Sequence, residues 1–80
     1  MTNTQVAQLV IEEVERAETK HPIWRGVRYG HSVIEEEYEE FKQAVFADND
    51  HQTFMEITQL AAMCLRYMKN HAPSSVRLFH

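Results

Sequence analysis

The chain has 80 residues, 44% of them hydrophobic, a formal net charge of −4 and one cysteine, Cys64. That length allows one domain that buries only about 60% of its unfolded surface, and a lone cysteine excludes an internal disulfide, so a metal or self-association must be considered as a source of stability. The acidic balance disfavours duplex nucleic acid as a partner, the polar stretch Met1–Gln8 argues against a signal peptide, and Phe54–Met68, interrupted by Glu56, Gln59 and Arg66, falls short of the roughly 20 apolar residues of a membrane span.

Apolar residues at three- and four-residue spacing predict three helices. The first runs from about Thr4 to Thr19, with Val6, Val10, Val14 and Ala17 on one stripe, Thr2 or Asn3 as cap, His21-Pro22 as stop, and Glu12, Glu13, Glu15, Arg16 and Glu18 on the wet side. A connector from His21 to about Tyr29 carries Trp24, which is expected to plug the edge of a small core. The second helix spans Val33 to about Ala47, started by a Ser32/Glu35 capping box or from an earlier point near Arg28. Asp48-Asn49-Asp50 reads as a turn and N-cap for a third helix from about Gln52 to Asn70, ended by Ala72-Pro73. So short a connection makes helices 2 and 3 antiparallel. The tail Pro73–His80 shows no period and is expected to be loose, or ordered by a partner chain.

On a helical wheel of the third helix, Ile57, Ala61, Cys64 and Met68 form one stripe, extended by Leu60, Met63 and Tyr67 on one flank and by Leu65 and Phe54 on the other. Three short helices cannot cover so wide an apolar arc. The expected architecture is therefore all-α, a single domain whose second and third helices complete a four-helix bundle core by forming a homodimer or homotetramer.

Residues 35–40 read Glu-Glu-Glu-Tyr-Glu-Glu. The simplest account is a solvated face at a helix start, where the macrodipole favours negative charge. Facing argues otherwise. With Ile34, Phe41 and Val45 as the buried stripe, Glu37 leans inward and Glu40 follows one turn later, whereas Glu36 and Glu39 point away. In helix 3, Glu56 lies on the flank of Leu60, Met63 and Tyr67, with Arg66 assigned to the polar side, and Gln59 is one turn on. Carboxylates brought together out of water need a cation or a proton, and an all-oxygen set from Glu37, Glu40 and Glu56 suits Mg²⁺ or Mn²⁺ better than Zn²⁺.

These residues carry a resemblance. Glu36-Glu37-Tyr38-Glu39-Glu40-Phe41 followed by Glu56-Ile57-Thr58-Gln59 resembles the Glu-Glu-x-x-Glu and Glu-x-x-Asp motifs of the MazG-like all-α nucleoside triphosphate pyrophosphohydrolases. Gly30–Glu37 together with Gln59-Leu60-Ala61-Ala62-Met63 and Arg66 is closer still to small MazG-like proteins in which Gln replaces the motif aspartate. The likeness covers Tyr29 to about Asn70. It implies Mg²⁺-dependent cleavage between the α and β phosphates, giving a nucleoside monophosphate and pyrophosphate, with metal-held phosphates and a metal-activated water. By position, Glu37, Glu40, Glu56 and Gln59 are the implied metal ligands, and Glu36 matches the leading acid, an outer ligand or a base for water. Gln59 brings no charge, so a catalytically silent module that binds a nucleotide or a protein is the alternative.

A polyanionic substrate also needs cations, and Arg28, Arg66 and Lys69 are the candidates, with Arg25 beside them. The five histidines lack zinc-ligand spacing and are expected at the surface or in loops. Met55, Met63 and Met68 read as core filling. Cys64 sits in an apolar stripe without a partner for nucleophilic chemistry, and a free thiol there fits a reducing compartment, with the cytoplasm as the expected location.

Overall fold

The computed structural model describes residues 1–76 and contains three helices, α1 (Asn3–Lys20), α2 (Val27–Phe46) and α3 (Asp50–His71), with no strand among the described residues. Each start has a local cause. At α1 the Thr2 hydroxyl accepts from the Gln5 N–H at 3.1 Å while the Gln5 amide oxygen accepts from the Thr2 N–H at 2.8 Å, a complete capping box. At α3 the Asn49 side chain accepts from the Gln52 N–H at 2.9 Å. The chain reverses between α2 and α3 within Ala47–Asn49, where Asp48 takes a left-handed φ of 56°.

The expected Ser32/Glu35 box is not the start of α2. The helix begins six residues before Val33, at Val27 after Gly26 (φ 122°), and the Ser32 hydroxyl instead donates to the Arg28 carbonyl at 3.1 Å. The extra turns are held by packing rather than by a cap. A Cβ built on Gly30 would collide with the Trp24 ring and lie 2.7 Å from Tyr67 Cδ2, so only glycine lets the start of α2 pass this close to the connector and to α3. Gly30 beside Tyr67, and Glu40 beside Glu56, fix α2 and α3 as an antiparallel pair.

Trp24 plugs the end of that pair. Its ring meets Tyr29 and Tyr67 edge-on, at 5.6 and 6.3 Å between centroids, and its indole N–H donates to His71 Nε2 at 2.7 Å. His71, expected at the surface, is half-buried here because the indole needs an acceptor.

Helix α3 packs on both other helices, whereas α1 and α2 make no close backbone approach among the described residues. The core joins Val14, Ala62 and Met63, with Val10, Ala17, Val33 and Ile34 around them. This centre lies on nearly the opposite side of α3 from the stripe of Ile57, Ala61, Cys64 and Met68. Met68 is 65% exposed and Ile57 and Leu65 are partly open, while Glu56, Ala62, Met63 and Arg66 are the buried residues of the helix. Arg66, assigned from the wheel to the polar side, is 4% exposed. On α2, Ala44 is buried and Val45 is not. No helix among the described residues is long and apolar enough to cross a membrane.

In the tail, Pro73–Val76 forms a turn closed by the Val76 N–H on the Pro73 carbonyl at 3.0 Å. The expectation of a loose segment extends to 77–80, outside the described residues.

Replacing Gly30 with Ala tests the close approach. Helix propensity favours Ala by about 1 kcal/mol, yet overpacking against two aromatic rings costs about 1–3 kcal/mol. A lower thermal midpoint together with altered Trp24 fluorescence is the expected result, and a stabilised protein with unchanged emission contradicts the packing.

Candidate functional site

Antiparallel packing brings the middle of α2, at Glu37 and Glu40, against the second turn of α3. Glu37, Glu40 and Glu56 each present a carboxylate oxygen within 4.8 Å of the other two. Glu56 is 8% exposed. One of its oxygens accepts from Gln52 Nε2 at 2.6 Å, an i, i+4 bond along α3 that sets the carboxylate's orientation. The other, Oε2, is fully buried and has no hydrogen-bond partner, and Glu37 Oε2 is in the same condition. Two orphaned acceptors aimed into one acidic cluster are the state that buried polar groups ordinarily avoid.

The electrostatics follow. Burial, reinforced by the charges of Glu40, Glu56, Glu36 and Glu13, pushes the Glu37 carboxyl up to about 7. Glu40, though exposed, is raised as well, by desolvation first and then by the charges of Glu56 and Glu36. The donor set is all oxygen, which fits Mg²⁺ or Mn²⁺, and the orphaned atoms are positions a cation would satisfy. Glu36 and Glu39 are exposed and stay outside the trio.

Beside the cluster lies a cavity of about 260 Å³ between α1, the connector and the α2–α3 pair. Glu37 and Gln59 line it, so Gln59 is brought to the edge of the site without belonging to the converging carboxylates. Arg66 lines it too, but its Nη2 donates to the His21 carbonyl at 2.8 Å and its guanidinium lies over the Trp24 ring, 5.1 Å from the centroid. Lys69 is elsewhere, paired with Glu18 of α1 at 2.8 Å, and Arg28 is exposed and away from the cavity walls.

Two contributors were not anticipated from the sequence. Gln52 orients Glu56, and its spacing of four residues is the signal that was available. Glu13, assigned to the wet side of α1, has a side chain only 17% exposed and shares the cavity with Glu37. Its place three residues after Val10 and four before Ala17 puts it at the margin of the apolar stripe.

No family model, curated protein or solved structure matches the chain.

The raised Glu37 carboxyl has a pH signature. A group that is harder to ionise folded than unfolded contributes stability that is fully present below its unfolded pKa, about 4.3, and is lost as pH rises through its folded value of about 7. In chelator, wild-type protein should therefore lose stability relative to Glu37→Gln between those limits. The gap should be on the order of 1 kcal/mol after solvent screening. Parallel curves for the two proteins in denaturant titrations at pH 4 to 8 would contradict the convergence.

Proposed function

We propose that the chain is a cytoplasmic, Mg²⁺-dependent nucleoside triphosphate pyrophosphohydrolase, able to use Mn²⁺, that releases a nucleoside monophosphate and pyrophosphate and works as a homodimer or homotetramer. The observation that carries this reading is the meeting of Glu37, Glu40 and Glu56 from two helices, with two buried carboxylate oxygens left without partners. A merely solvated acidic face spreads its charges outward; here Glu37 of that face is half-buried and meets the buried Glu56 of α3, with the exposed Glu40 beside them, at a cost in stability. The motif resemblance then selects the reaction class.

When bound, Mg²⁺ neutralises phosphate charge and lowers the pKa of a coordinated water. The chain's own residues have distinct parts. Gln52 holds Glu56 in place through one oxygen, and the other is left without a partner. Glu37, whose carboxyl burial raises to about 7, would hold a metal as the carboxylate and release any proton to solvent on binding it. Gln59 offers an amide oxygen and no charge. Glu36, exposed next to the trio, is the acid available to accept a proton from the attacking water. The neutral Gln59 is also what favours the second reading, a module that binds a nucleotide without cleaving it.

Assembly is supported by what the single chain leaves open. No large side chain is fully buried among the described residues, and Tyr38 and Val45 of α2 with Ile57, Leu65 and Met68 of α3 are exposed. An apolar groove between α1 and α3, lined by Val6, Leu9, Val10, Phe54, Ile57 and Ala61, adds to that surface. Light scattering at micromolar concentration should give at least a dimer; a compact monomer sinks the four-helix core.

The test of function joins two measurements. Mg²⁺ or Mn²⁺ should raise the melting temperature, by a stabilisation of about 2.7 kcal/mol at a hundredfold excess over Kd, and Glu37→Gln or Glu56→Gln should remove the effect while Glu39→Gln keeps it. Pyrophosphate release across ribo- and deoxyribonucleotides should then identify the substrate, and Gln59→Asp should tighten metal binding. Metal binding without release from any nucleotide favours the silent module, and equal, small responses of all variants defeat both readings.

A further inference from the structure

A site that concentrates carboxylates repels the phosphates it is meant to receive, so a cation must stand within reach of the metal positions. The described cations nearest in prospect are mostly engaged. Lys69 is held by Glu18, and Arg66 is buried, donating to His21 and stacked on Trp24. Arg16 and Lys20, unlike Lys69, line the same cavity as Glu37 and Gln59, and Arg16, though paired with Glu13, keeps a side chain that is 59% exposed, open to a ligand entering from solvent.

Arg16 is also aimed. Its Nη2 donates to one Glu13 oxygen at 2.6 Å and its Nε to the other at 3.2 Å, so the guanidinium plane is fixed by a carboxylate that is itself largely buried. A guanidinium has five N–H donors, and this pairing leaves the others for an anion. The same Glu13–Arg16 pair and Gln59 border a second opening on the far side, toward Leu9 and Phe54, so the pair stands at a passage rather than on a closed wall.

We infer that the cavity between α1, the Trp24 connector and the α2–α3 pair receives the phosphate chain of the substrate, with Arg16, oriented by Glu13, as the residue that grips it. This rests on the metal reading above and adds α1 to a site otherwise built from α2 and α3. Glu13 acts here as a positioning residue. The buried Arg66, with its Nε unpartnered, keeps positive potential at the back of the same cavity.

Inorganic pyrophosphate, titrated calorimetrically into the full chain with Mn²⁺ present, is the probe, with Mn²⁺ affinity measured separately for each protein. Arg16→Ala should weaken pyrophosphate binding at least about tenfold, as expected for loss of a charge-assisted hydrogen bond, while Mn²⁺ affinity and melting temperature stay at wild-type values. Arg16→Lys should recover part of the loss, because it keeps the charge without the fork. Glu13→Gln should weaken pyrophosphate binding less than Arg16→Ala and leave Mn²⁺ bound. Wild-type affinity for pyrophosphate in Arg16→Ala overturns the inference, as does a wild-type chain that binds Mn²⁺ but no pyrophosphate. A wild-type chain that binds neither overturns the metal reading beneath it.

Discussion

A carboxylate that loses its water must find N–H donors, a proton or a cation, and Glu56 finds one donor, the side chain of Gln52, for two oxygens. The α2–α3 seam is arranged around that shortage. An apolar residue of similar volume at position 56 would relieve it, since uncompensated buried charge commonly costs more than the hydrophobic contact it displaces. Nor can the seam slip to move the acids apart, because Gly30 is wedged between Trp24 and Tyr67 at the other end and Asp48 closes the turn at this one. The two ends of an antiparallel pair thus hold the middle in a register that sets three carboxylates against one another.

The same shortage explains the neighbouring charges. Glu13 adds to the repulsion felt by Glu37, which makes little sense as a stability device for α1 alone. It makes sense if Glu13 serves Arg16, whose guanidinium it holds by two hydrogen bonds. The local order is then alternating: carboxylates at the seam, a guanidinium held at the opening, and a second guanidinium buried behind the Trp24 ring. Under the proposed function, such layering would offer a metal–phosphate complex opposite charge on each side.

The connector ties this order to the fold. Trp24 is bonded to His71, stacked under Arg66 and set against Gly30. The segment that closes the end of the helix pair therefore also forms a wall of the cavity.

Much of this was legible from spacing. Glu37, Glu40 and Glu56 were predicted to converge because period alone decides which turns of two facing helices meet once the turn at Asp48–Asp50 makes them antiparallel. Period does not say how many neighbours a helix has. α3 has two, and its burial is centred between them, at Ala62, Met63 and Arg66, not at the most apolar stripe. That is why Arg66 and Glu13 were assigned to water; the start of α2, fixed by the fit of Gly30 beneath an aromatic ring, lies one residue from the earlier point near Arg28 and six before Val33, where the Ser32/Glu35 box would begin it. The mismatch itself carries information. A lone three-helix chain would gain by turning Ile57, Ala61, Cys64 and Met68 inward and Glu56 and Arg66 outward. The opposite rotation keeps Glu56 and Arg66 inside and leaves Ile57 and Met68 of the apolar stripe exposed, with Ala61 and Cys64 half-buried.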